Sequence, residues 1–106
     1  MVVFGSRNRT LLLVLIAGLG ESYARELART SGIPYSTAIL ALDKLEADQL
    51  IVGVQRGKER RLQLNPRFVA NKELKSLLQA LLLADPEAQQ MLTKVRMRPR
   101  KKGKEL

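Results

Sequence analysis

"SGIPYSTAILALDKLEADQLI" spans residues 31–51, and its reading decides the fold. Ser31-Gly32 ends one helix, because glycine enters the left-handed conformation past a helix end without a Cβ clash. Pro34 opens the next, where its missing N–H would be unpaired in any case. From about Pro34 to Asp48, the residues Ala38, Leu42 and Leu45 recur at i, i+4 and i+7, which is an inward stripe. The outward set is then Tyr35, Ser36, Thr37, Leu40, Ala41 and Lys44, with Ile39 at the margin. Residues 39–41 break the amphipathic pattern: Ile, Leu and Ala stand where water-facing side chains should be polar.

Upstream, Tyr23–Thr30 reads as a short helix, with Ser22 as its N-cap and Ala24, Leu27 and Ala28 on one face. Arg25, Glu26 and Arg29 sit outside. Before it, "RTLLLVLIAGLG" (9–20) makes Arg7–Leu19 a helix that is apolar on nearly every face, stopped by Gly18 and Gly20. Such a helix needs cover on two sides. A partner subunit is the simplest source of the second, and an ordinary intramolecular core is the alternative.

Downstream, "LIVGVQRGKERRLQLN" (50–65) alternates at Leu50, Val52 and Val54 and again at Leu62 and Leu64. That predicts a two-stranded hairpin with a glycine turn. Arg56, Lys58, Arg60 and Arg61 crowd its tip and second strand. Lys72–Leu83 is amphipathic through Leu74, Leu77, Leu78 and Leu81. Asp85-Pro86 caps and opens a last helix to about Arg96. Residues 1–95 thus form one domain, and 96–106 a basic tail expected to be disordered in isolation.

The 106 residues contain no Cys and no His. Disulfides, Cys/His metal sites and imidazole acid–base chemistry are excluded. Acidic residues are scattered without metal-ligand spacing, no nucleophile–base pair is apparent, and no glycine-rich phosphate loop is present. We therefore expect no enzyme, no metal and no cofactor. The net charge is +9, but residues 94–106 hold seven Lys/Arg against one Glu, a net of +6. Such a tail suits a polyanion, nucleic acid before anionic membrane; the plainer reading is a solubilising tail. Arg7, Arg9 and the apolar run 11–17 imitate a secretion signal. The run is far shorter than the ~20 residues of a membrane span, and the following helix needs Tyr23 and Ala24. The expectation is a cytoplasmic protein with no membrane partner.

Three helices, a hairpin with a basic tip and an amphipathic helix, in that order, describe a winged helix-turn-helix: mainly α with a small β-hairpin. "FGSRNRTLLLVL" (4–15), "YARELARTSGIPYST" (23–37), "LDKLEADQLI" (42–51) and "RRLQLNP" (60–66) resemble a bacterial ArsR-like winged-helix regulator over about Phe4 to Leu82. The resemblance implies a homodimer with C-terminal dimerisation helices, its seam formed by Leu11, Leu12, Val14, Leu15, Leu74, Leu77, Leu78 and Leu81. It implies double-stranded DNA as partner, with helix 34–48 in the major groove and the wing (55–61) on the backbone or minor groove. The expected contacts are Tyr35, Ser36, Thr37, Leu40, Ala41, Lys44, Arg56, Lys58, Arg60 and Arg61. Metal-sensing members of that family bind through Cys and His, so metal sensing does not carry over.

The apolar 39–41 run leaves two other readings open. No bidentate Arg–guanine or Asn/Gln–adenine contact can come from it. Ile39 and Leu40 could instead meet an unidentified protein partner, or the basic tail could lead non-specific nucleic-acid or RNA binding.

Overall fold

A computed structural model describes residues 3–97. Those residues are mainly helical, with a small three-stranded antiparallel sheet. The arrangement is compatible with a winged helix.

α1 (Arg7–Leu19) begins at Ser6, whose hydroxyl accepts the Arg9 backbone N–H at 3.0 Å, and ends at Gly20. Gly18 lies inside the helix and does not stop it. A Cβ there would fall 2.5 Å from a methyl of Leu92, so Gly18 marks the place where the last helix crosses closely.

β1 (Glu21–Ser22) precedes α2 (Ala24–Ser31). Ser22 is not the N-cap expected of it. It is buried in β1, paired opposite Leu62, and its hydroxyl donates to Glu26 Oε1 at 2.7 Å. Gly32 closes α2 with φ 77°, the left-handed cap that the sequence required. α3 (Tyr35–Ala47) follows Pro34 directly.

β2 (Ile51–Arg56) and β3 (Glu59–Leu64) form the hairpin around Gly57, whose φ is 62°. The sheet order β1-β3-β2 adds a strand to the two expected. The hairpin phase also differs by one residue. Ile51 is the buried position, opposite Leu64, while Leu50, Val52 and Val54 are only half-buried. Gly53 pairs with Leu62 on the core side; Val52 and Val54 share the other face with Gln63 and Arg61.

α4 (Asn71–Leu83) and α5 (Pro86–Met97) complete the described chain. Asp85 Oδ1 accepts the backbone N–H of Glu87 and Ala88 at 3.1 and 3.2 Å, the cap expected of Asp85-Pro86. Arg96, where the expected last helix ends and the tail begins, lies within α5, and its guanidinium donates to the Gly18 carbonyl at 3.2 Å. The rest of the tail, 98–106, lies outside the described residues.

α1 is the centre of the core. It packs against α2, α3, α4, α5, β1 and β3. Leu12, Leu13, Leu15 and Ile16 are each 0% exposed within this single chain. Burying each contributes roughly 1.5–3 kcal/mol. The second cover for α1 therefore comes from its own fold. Of the expected dimer seam, Leu11, Leu12, Val14, Leu15, Leu74 and Leu78 are buried inside the protomer. Leu77 is 41% exposed and Leu81 half-buried. Among the described residues no helix is long and apolar enough to cross a membrane.

Candidate nucleic-acid interface

A helix turns about 100° per residue. With Ala38, Leu42 and Leu45 buried, the line pointing directly away from the core is Ser36, Leu40, Asp43 and Ala47, all exposed. Thr37 and Lys44, also exposed, flank this line on one side. Tyr35, Ile39 and Glu46 flank it on the other, where they line a cleft toward the hairpin. Ala41 does not belong to the outward set: it is half-buried and packs on the core. Asp43 takes the place expected of it. The 36-40-43-47 spacing carried that signal, and the apolar neighbours of Leu40 obscured it.

Pro34 gives the first turn of α3 no side-chain cap, and the turn holds no acidic residue. Its backbone N–H groups and the helix dipole favour an anion there. Arg25 of α2 stands beside it, its guanidinium carbon 4.6 Å from the Tyr35 ring centre. The sequence pattern marks Arg25 only as an exposed residue.

The hairpin's cations do not form one patch. Arg60 lies on the core side of β3, folded across Gly53, where a side chain at 53 would meet its Nε within 2.6 Å. Its guanidinium pairs with Glu46 of α3. Arg56 and Arg61 lie on the opposite face. Arg56 pairs with Glu21 at 3.2 Å. Arg61 pairs with Glu59 at 3.0 Å, and its guanidinium carbon is 4.9 Å from the centre of the Tyr23 ring. Lys44 is engaged by Asp48 at 3.3 Å. Of the basic residues expected to hold DNA, Lys58 at the turn is the one without a carboxylate partner among the described residues.

Between α3 and the hairpin runs a cleft of about 440 Å³. Its floor includes Ile39, Leu42 and Leu62, and its rim carries Arg25, Lys58 and Arg60 against Asp43, Glu46 and Glu59. The face is thus close to charge-balanced. No cluster of carboxylates that could hold a metal ion occurs among the described residues. No protein-family model and no curated protein matches this chain.

Proposed function

We propose that this protein is a dimeric, cytoplasmic DNA-binding transcriptional regulator of the winged helix-turn-helix type. The observation that carries the reading is the placement of an exposed, uncapped α3 first turn beside a hairpin whose tip presents Lys58. The first turn, with Tyr35, Ser36 and Thr37, enters a major groove, and Lys58 meets the phosphate backbone. Leu40 contacts thymine methyl groups or empty groove. The apolar strip Leu77, Ala80, Leu81 and Ala84 along α4 forms the seam between two copies, in place of the buried residues of α1. The resemblance to ArsR-like regulators supports the same arrangement. The reading contains no catalytic step and no cofactor.

A second reading is favoured by one observation. Leu40 is 72% exposed at the centre of the outward line, an apolar side chain where water-facing residues are ordinarily polar. A protein partner with an apolar pocket would suit it. One substitution separates the two. Leu40→Arg should tighten DNA binding by ~1–2 kcal/mol, as an added charged contact in the groove does. On a protein seam the same change would bury a charge and release the partner. Unchanged DNA affinity with loss of a co-purifying protein would overturn the DNA reading.

A further inference from the structure

Asp43 has no role in the reading above. It is exposed, it sits on the outward line of α3, and no hydrogen bond or ion pair engages it among the described residues. Its neighbour Lys44 points about 100° away along the helix and is held by Asp48. Ile39 and Ala47, one turn to either side, cannot neutralise it, and the cations that share its cleft, Arg25, Lys58 and Arg60, form no ion pair with it among the described residues.

An unpaired carboxylate on a groove-facing helix is a strong discriminator. It is repelled by the phosphates and by every acceptor on a base edge. In the major groove guanine shows acceptors at N7 and O6 and thymine an acceptor at O4. Adenine offers the N6 amino group but sets the N7 acceptor beside it. Cytosine offers its N4 amino group with no acceptor of its own on that edge. Leu40, three residues earlier, is 72% exposed and suits a thymine methyl. Three residues rise about 4.5 Å along the helix axis, close to the ~3.4 Å between successive bases of a strand. The two side chains therefore address neighbouring base pairs.

Resting on the DNA-binding reading, we propose that Asp43 is a specificity-determining residue: it selects cytosine through the N4 amino group, next to a thymine selected by Leu40. The half-site then contains adjacent cytosine and thymine, read by one acceptor and one apolar contact. This supplies selectivity to a helix that lacks Arg, Asn and Gln on its outward line.

The test is selection of bound duplexes from a random pool by the full chain, at one stated salt concentration. Wild-type protein, Asp43→Asn and Leu40→Ala are compared. Wild type should favour cytosine at one position by roughly ten-fold, within the range of a good base contact. Asp43→Asn should move that position toward adenine, whose N6 and N7 suit an amide. Leu40→Ala should relax only the neighbouring thymine. Because both residues are exposed, melting curves of the variants should match wild type, and a folded Asp43→Asn protein keeps the comparison valid. An enriched site whose bases are unchanged by Asp43→Asn would overturn this proposal while leaving DNA binding intact. Failure of wild type to enrich any duplex would overturn both.

Discussion

Glu46→Gln tests whether Arg60 is a DNA contact or a strut between the hairpin and α3. The Arg60 and Glu46 side chains are 52% and 31% exposed, so their pair adds only ~0.2–1 kcal/mol to stability. Losing it should lower the melting temperature by a few degrees, since 1 kcal/mol corresponds to roughly 4–8 °C in a domain of this size. The effect on binding should be larger than the effect on stability. In the wild type, a swing of Arg60 to a phosphate would strand the Glu46 carboxylate beside the same backbone. The attraction gained and the repulsion exposed nearly cancel, so Arg60 stays on Glu46. A neutral amide at position 46 removes that repulsion and releases the guanidinium. Glu46→Gln should then tighten DNA binding and steepen the log–log salt slope by about 0.9, the value of one phosphate contact. Arg60→Ala in the wild type strands Glu46 and should weaken binding, but it removes no phosphate contact and should leave the slope near the wild-type value. The double variant should return to the wild-type slope. Fluorescence anisotropy on one duplex across a salt series reads all four proteins. If Arg60→Ala alone flattens the slope by about 0.9, the strut account is wrong and the pair opens on binding.

Lys58→Ala should flatten the same slope by about 0.9 and weaken every duplex similarly; a loss confined to one sequence would show that Lys58 reads bases. Leu77→Glu should convert the proposed dimer to a folded monomer in sedimentation, because Leu77 is an exposed position whose loss leaves the core intact; an unchanged dimer would remove it from the seam. Gln49 adopts φ 70° just after α3, so Gln49→Gly should raise unfolding free energy in urea by ~0.5–1 kcal/mol, and a lower midpoint would show that its side chain matters more than its backbone. Zinc should shift neither melting temperature nor DNA affinity, since no Cys or His exists to bind it; stoichiometric binding by calorimetry would contradict this.

What the sequence made legible was local. The turn at Gly32, the turn at Gly57, the cap at Asp85 and the stripe Ala38-Leu42-Leu45 each depend on neighbours within one or two turns. What it hid was set by distant residues. Ser22 before a helix carries the same local signal whether it caps that helix or pairs in a strand. Leu62, forty positions away, decides for the strand. Gly18 carries a stop signal in the sequence, whereas its real reason, the approach of Leu92, is a tertiary contact. In the hairpin, Leu50, Ile51 and Val52 are all apolar, so the alternation has no unique phase until α3 and β3 fix Ile51 inward. The pairing of the hairpin cations was hidden in the same way. Arg56 and Arg60 read as free cations because Glu21 and Glu46, their partners, are 35 and 14 residues distant.

These pairings tie dimerisation to DNA binding in the proposed function. A protomer whose hairpin arginines are occupied brings few phosphate contacts: the first turn of α3, Lys58 and the nearby Arg25. Each neutralised phosphate steepens the salt slope by about 0.9, so one copy should show a shallow slope and weak affinity. Two copies joined along α4 double the contacts, and the second docks at the high effective concentration set by the first. Leu77→Glu should therefore do more than separate the protomers. It should roughly halve the salt slope while leaving the base preferences of a half-site unchanged, because α3 lies on elements that the substitution does not touch. A monomeric Leu77→Glu protein that kept the full wild-type slope would mean that one protomer holds all the contacts, and the seam would then have no part in holding DNA.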